Sequence, residues 1–214
     1  MPEGSTISRC GGALVGKRTV ITAAHCLHGK PSARVYFGIR DVTTRGNAQQ
    51  QTVSASNWRV HEDYDDATSK NDVALINLPK DVNVSASVGF VSPSWDDKSY
   101  DNTQAVVAGW GMVNDNDGTN ILRFANLKVA PAAQCEPIFG SYSTGNMLCM
   151  DASSGGTCRG DAGGPLLIND NGTPKLIGIV SFGAARCAHT FSRVATRIPS
   201  YGAWIKRSST APLT

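Results

Sequence analysis

Cys158-Arg159-Gly160-Asp161-Ala162-Gly163-Gly164-Pro165-Leu166 is the stretch on which the reading of this chain turns. It places an acid among closely spaced glycines and leads into a β-type run over residues 165–169. Two shorter stretches belong with it, Thr22-Ala23-Ala24-His25-Cys26 and Asn71-Asp72-Val73-Ala74-Leu75. Singly they say little. A histidine before a cysteine in a β-protein is ordinarily structural, and Asp-Val-Ala-Leu is a common tetrapeptide.

Further β-type runs cover residues 12–15, 19–23, 34–38, 51–60 and 73–78, then 104–109, 122–129, 146–150 and 175–182. Asp170-Asn171-Gly172-Thr173 is a hairpin turn, because Asn and Gly tolerate positive φ. The polar stretch 92–103 reads as the crossover between two halves. Ile198, Tyr201 and Trp204 or Ile205 are spaced for an amphipathic helix over residues 198–208. Periodicity alone gives an all-β chain of many strands.

The 214 residues suffice for one compact unit or two small halves. The 22 glycines and low aromatic content suit short strands joined by tight turns. A net charge of +3 with both signs scattered offers no footprint for nucleic acid or a membrane surface. No stretch has the apolar length of a membrane span, and the polar start Met1-Pro2-Glu3-Gly4 is no secretory signal. Six cysteines without a C-x-x-C pair favour disulfides over a metal, hence an oxidising compartment, although spacing alone allows 15 pairings. With disulfides expected, this start reads as a mature or trimmed chain with an added methionine. Asn83-Val84-Ser85 and Asn171-Gly172-Thr173 are glycosylation sequons.

Taken together and in this order, the three opening stretches resemble the chymotrypsin-like (trypsin-fold) serine peptidases, whose nucleophile segment reads G-D-S-G-G-P. Here only the serine differs, replaced by Ala162. The resemblance runs from Cys10 to Ile205 and includes Gly109-Trp110-Gly111 and Ser181-Phe182-Gly183. It implies two six-stranded-type antiparallel Greek-key barrels, the first lacking its first strand, and a short C-terminal helix. The expected division is 1–95 with His25 and Asp72, 96–197 with the Gly160–Ala162 loop and the specificity pocket, and 198–214 as helix and tail. It also selects the pairing Cys10–Cys26, Cys135–Cys149 and Cys158–Cys187, each bridge contributing roughly 2–4 kcal/mol.

By the same resemblance His25 is the general base, Asp72 the acid that orients it, and Ala162 the vacated nucleophile position. The N–H groups of Gly160 and Ala162 form the oxyanion hole, which needs no side chain. Asp161 and Ser181 support the site; Gly156, Thr157, Ser181, Phe182 and Gly183 contact substrate. Gly156 stands where trypsin-like members carry a carboxylate, so the expected preference at P1, the residue on the acyl side of the cleaved bond, is neutral or apolar. His28, His61 and His189 match no motif and read as surface or core residues.

Three departures bear on activity. A methyl at 162 forms no acyl-enzyme, and loss of the nucleophile costs on the order of 10⁶ in kcat. The free Ile-Val-Gly-Gly-type terminus that pairs with the acid at 161 is absent, and Ile7 is internal, so Asp161 is expected to lack its ammonium partner and the first barrel to expose an edge. The segment from Cys187 to Val194, one wall of the specificity pocket, is short for the family. The region 38–51 has Asp41 as its one acid, too few oxygen ligands for calcium. The expected protein is thus a secreted, monomeric serine endopeptidase scaffold, inactivated by an engineered alanine. It takes no cofactor or metal, receives a polypeptide substrate or a protein inhibitor in its cleft, and binds neither nucleic acid nor membrane. The alternative is a natural pseudoprotease that binds proteins or peptides through the retained cleft.

Overall fold

In the computed structural model, the described residues are 8–44, 48–140, 145–153, 155–184, 186–187 and 192–214. The first half is built on a four-stranded antiparallel sheet, β1 (Ala13–Gly16), β2 (Thr19–Thr22), β6 (Ala74–Asn77) and β5 (Trp58–Val60), in the order β1-β2-β6-β5. β3 (Ser32–Phe37) and β4 (Gln49–Ser54) form a separate ribbon. Every residue of β2 and β6 is buried, because each strand is covered on both faces. Ile21 and Leu75, paired across the two strands, enter one core; Val20, Ala74 and Ile76 enter another with Phe37, Val53 and Trp58.

The second half closes on itself. β8 (Gln104–Gly109), β9 (Arg123–Ala130), β10 (Met147–Asp151), β11 (Pro165–Asp170), β12 (Thr173–Gly183) and β13 (Arg193–Arg197) pair in the order β11-β8-β9-β10-β13-β12, and β11 pairs with β12 to complete a six-stranded antiparallel barrel. Closure removes sheet edges. Its interior is filled by Val107, Leu127, Val129, Met150, Leu166, Ile177 and their neighbours. Asn171 (φ 52°) and Gly172 (φ 85°) make the hairpin turn with Asp170 opposite Thr173, as the sequence predicts.

Three local expectations need correction. The run 51–60 is interrupted by a 3₁₀ turn, Ala55–Asn57, between β4 and β5. The stretch 92–103 is not all crossover: β7 (Ser92–Pro93) pairs parallel with β12. The expected edge on the first half is partly capped, since Leu14 and Val15 carbonyls of β1 accept N–H bonds from Val91 and Thr214. Among the described residues the first half is a sheet plus a ribbon sharing one core, rather than a hydrogen-bonded ring.

A 3₁₀ turn (Ile198–Tyr201) and α1 (Gly202–Ser208) end the fold. Ile198, Tyr201, Trp204 and Ile205 pack with Ile21, Leu75, Leu176 and Ile179, so this segment locks the two halves together. Trp204 Nε1 donates to Glu62 at 2.7 Å. All three expected disulfides are present, and no described helix is long and apolar enough to cross a membrane.

Candidate functional site

β2 ends at Thr22 and turns through a short 3₁₀ helix, Ala24–Cys26, that presents His25 at the junction between the halves. Asp72 lies two residues before β6, preceded by Asn71 with φ 55°. Asp72 is 1% exposed, yet all its described contacts are satisfied. Its Oδ1 accepts the backbone N–H of His25 at 2.9 Å, and its Oδ2 accepts His25 Nδ1 at 2.8 Å and the Ser181 hydroxyl at 2.5 Å. The Thr196 hydroxyl donates to the Asp72 carbonyl at 2.7 Å, tying this loop to β13. A carboxylate is acceptor-only, so Nδ1 carries the hydrogen and Nε2 of neutral His25 the lone pair.

The His25 side chain keeps 34% exposure while the Asp72 side chain has none. Burial pulls the imidazole pKa down. The hydrogen bond and charge of Asp72, with a smaller contribution from Asp66, outweigh it and leave His25 above the ordinary histidine value.

Ala162 is brought to the same place by the chain around it. Its carbonyl accepts Gly11 N–H at 2.7 Å, next to the Cys10–Cys26 bridge. The Cys26 sulfur lies 3.8 Å from His25 Nε2 and 3.9 Å from the Ala162 oxygen, so His25 and Ala162 flank one atom. The turn depends on Gly160 (φ 97°) and Gly163 (φ 80°), conformations that L side chains rarely adopt. Within it the amides of Asp161, Gly163 and Gly164 bond to Cys158, Val180 and Asp161 carbonyls. Those of Gly160 and Ala162 find no acceptor among the described residues.

Asp161 points away from this turn. Its carboxylate accepts Gly111 N–H at 2.8 Å and Cys158 N–H at 2.9 Å. Burial raises its pKa, and those two bonds offset part of the rise. A cavity of about 170 Å³ borders it, lined also by Val113, Phe124, Gly156 and Thr157. Two backbone donors thus hold the carboxylate that the sequence predicts to lack its ammonium partner; residues 1–7, including Ile7, lie outside the described residues.

Past Val180, β12 pairs only with β13 among the described residues, so Ser181, Phe182 and Gly183 keep one open backbone edge beside the cleft. Gly156 and Thr157 lie on the approach to Cys158, Thr157 buried at 6% exposure. His28 is exposed beside Tyr64, and His61 packs between Tyr201 and Trp204. His189 and the middle of the Cys187 to Val194 segment lie outside the described residues. Cys10, His25 and Cys26 cluster within 4.8 Å, but both sulfurs are spent in the disulfide and offer no thiolate to a metal. Asp41, the one acid of region 38–51, accepts the amide and hydroxyl of Thr43.

The sequence reading missed β13 and, on it, Arg193. This arginine is 3% exposed and reaches the carbonyls of Thr157 (Nε, 3.0 Å), Ser192 (3.4 Å) and Arg186 (2.5 Å). Its charge at both ends, Arg-Val-Ala-Thr-Arg, hides a strand in which all five residues are buried.

A family model described as Trypsin matches residues 3–205. The chain is 34% identical over 201 residues to brachyurin of Leptuca pugilator, covering 92% of this chain and 86% of that protein. It is 35% identical over 211 residues to a chymotrypsin of Phaedon cochleariae (96% and 74% covered). Cathepsin G of Homo sapiens is 35% identical over 202 residues (93% and 76%).

Proposed function

The chain belongs to the trypsin family of serine peptidases, and from that premise we propose that it is an endopeptidase scaffold that holds a polypeptide in its cleft and, with Ala162 in place, does not cleave it. The observation that carries this is the His25–Asp72–Ser181 network beside a turn whose Gly160 and Ala162 amides have no acceptor among the described residues. In this reading the two halves, 1–95 and 96–197, meet at the cleft, with 198–214 as the closing helix and tail. An extended peptide pairs with the open edge of Ser181–Gly183, and its scissile carbonyl oxygen sits in the amides of Gly160 and Ala162.

A hydroxyl introduced at position 162 attacks that carbonyl while His25 Nε2 takes its proton. The Asp72 carboxylate fixes the tautomer and stabilises the imidazolium. His25 then returns the proton to the departing amine, and water completes hydrolysis by the same relay. Without the hydroxyl no covalent step begins. The retained partners are substrate polypeptides or a protein inhibitor, bound by a secreted monomer without metal or cofactor. Alanine at an otherwise intact site is read as an engineered change. The P1 preference in this reading is neutral or apolar, because Gly156 stands where trypsin-like members carry a carboxylate.

The test is Ala162→Ser with a fluorophosphonate probe. The variant is expected to label at position 162 and to hydrolyse peptides at a rate on the order of 10⁶ above the alanine chain. A folded variant that neither labels nor cleaves, yet binds peptides, overturns the peptidase reading and identifies a binding module.

A further inference from the structure

The pairing of His25 with Asp72 depends on where the backbone sets the Asp72 carboxylate, and that backbone is bent twice. Asn71 holds a left-handed φ of 55°. The Val73 amide then closes back on the Asn71 carbonyl at 2.8 Å, a three-residue γ-turn centred on Asp72. Asparagine tolerates the left-handed region better than most residues, but nothing in its own chemistry selects that region over the extended one. Two bonds to its side chain do. Asn71 Nδ2 donates to the Asp63 carbonyl at 2.8 Å, and Oδ1 accepts the Tyr201 hydroxyl at 2.9 Å.

The second of these clamps comes from the far end of the chain. Tyr201 is 5% exposed, closes the 3₁₀ turn before α1 and packs in the core with Ile21 and Leu75. His61, whose amide donates to the Val73 carbonyl, lies edge-on against its ring. The ring is thus braced both by the core and by the loop it serves. Burial, then the charge of Asp72, pushes the hydroxyl's pKa up, so it stays a neutral donor.

We propose that Tyr201 is a positioning residue for the His25–Asp72 pair: through Asn71 its hydroxyl fixes the turn at Asp72, and so the alignment of the carboxylate on His25 Nδ1; this rests on the peptidase reading above. Ser181 and Thr196 hold Asp72 at its carboxylate and at its own carbonyl. Tyr201 holds the peptide that enters it. Without the hydroxyl, only the bond to Asp63 keeps Asn71 in the left-handed region, and the peptide between 71 and 72 can rotate. Small displacements matter here, since about 1 Å of misplacement costs on the order of 10² in rate.

Tyr201→Phe removes one oxygen and keeps the ring. In the Ala162→Ser chain it is expected to lower kcat by about 10-fold with KM changed by less than about 2-fold. In the alanine chain it is expected to shift the NMR resonance of the His25 Nδ1 proton and to lower the His25 pKa, because the Asp72 bond that raises it is weakened. Asn71→Gly keeps access to the left-handed backbone and removes both side-chain bonds; Tyr201→Phe added to it is expected to cost nothing further, the signature of a single route. Trp204→Phe, equally buried in the same segment but bonded to Glu62, is expected to lower the melting temperature and leave kcat and the His25 signal unchanged. A Tyr201→Phe chain with unchanged kcat and an unchanged Nδ1 proton overturns the positioning role and leaves the peptidase reading intact. Equal losses of kcat in Tyr201→Phe and Trp204→Phe also overturn it, reducing the tyrosine to packing. Additive losses in the double variant overturn the route through Asn71. If the Ala162→Ser chain neither labels nor cleaves, the peptidase reading fails, and the His25 resonance of the alanine chain still decides whether Tyr201 sets the pair.

Discussion

Asp72→Asn isolates what the buried carboxylate does for His25. The imidazole is under opposing influences: desolvation, the largest single one, depresses its pKa, and the hydrogen bond and charge of Asp72 together raise it above the ordinary value. Asparagine keeps the volume and removes the charge. What remains is burial, the largest influence, against the smallest one, the Asp66 charge, so the direction reverses and His25 should titrate below 6.5. The tautomer should change too, because the amide can offer its NH₂ to Nδ1 and push the hydrogen to Nε2. The stability consequence follows from the sign. A histidine raised in the folded state contributes stability that is fully present below its unfolded pKa and is lost as pH rises through the folded value; in Asp72→Asn that contribution disappears and acid instead disfavours the fold. The substitution also weakens bonds from the His25 amide and the Ser181 hydroxyl, each worth about 1.5–3 kcal/mol to a charged acceptor. Because the amide oxygen still accepts one of them, a loss of about 2–3 kcal/mol is expected. Nitrogen-detected NMR titration of His25 in both chains, with urea unfolding at pH 5.5 and 8, measures all three. An asparagine variant whose His25 still titrates above 6.5, with the hydrogen on Nδ1, refutes the pairing as the cause.

Two further outcomes are expected. Removing the Cys10–Cys26 bridge by a double serine substitution releases a 16-residue loop and should lower stability by about 3 kcal/mol in urea unfolding; it should also weaken peptide binding, since the bridge seats Gly11 against the Ala162 carbonyl. Thr196→Val leaves the buried Asp72 carbonyl without its hydroxyl donor and should cost about 1–3 kcal/mol, read as a lower melting temperature.

How much of this was legible in the sequence depends on what each signal encodes. Residues 104–109 were legible as a short small and apolar run, Ala-Val-Val-Ala after Gln104, and β8 occupies those residues, with the alternation appearing only in their burial. The Asn171-Gly172 hairpin was legible because positive φ is a property of the residues themselves. The run 51–60 looked continuous because a 3₁₀ turn of Ala, Ser and Asn has no breaker in it. β7 was hidden by its length of two residues. β13 was hidden by its chemistry: Arg193 and Arg197 read as solvent-facing, but both are buried, with backbone carbonyls accepting from each and the exposed Asp97 pairing with Arg197. A motif search weighs Gly156, four residues before Gly160, and cannot see that β13 brings Arg193 to the Thr157 carbonyl from 36 residues downstream.

Retention of the histidine–aspartate pair does not by itself say that the chain descends from a working enzyme one substitution ago. Asp72 is inaccessible, accepts three donors through its side chain and a fourth through its carbonyl, so losing it unsettles both halves at once. Replacing a serine at 162 removes one oxygen from a half-buried position and leaves the carbonyl bond to Gly11 in place. The hydroxyl is therefore cheap for the fold and indispensable for chemistry, whereas the pair is held by stability under either origin of the alanine. Discrimination falls to groups that the fold does not need. The amides of Gly160 and Ala162 bond to no acceptor among the described residues, and the left-handed backbone at Gly160 that presents them favours glycine at that position. A scaffold freed from binding a carbonyl oxygen has no use for that arrangement, so its presence favours a cleft still shaped for a peptide bond.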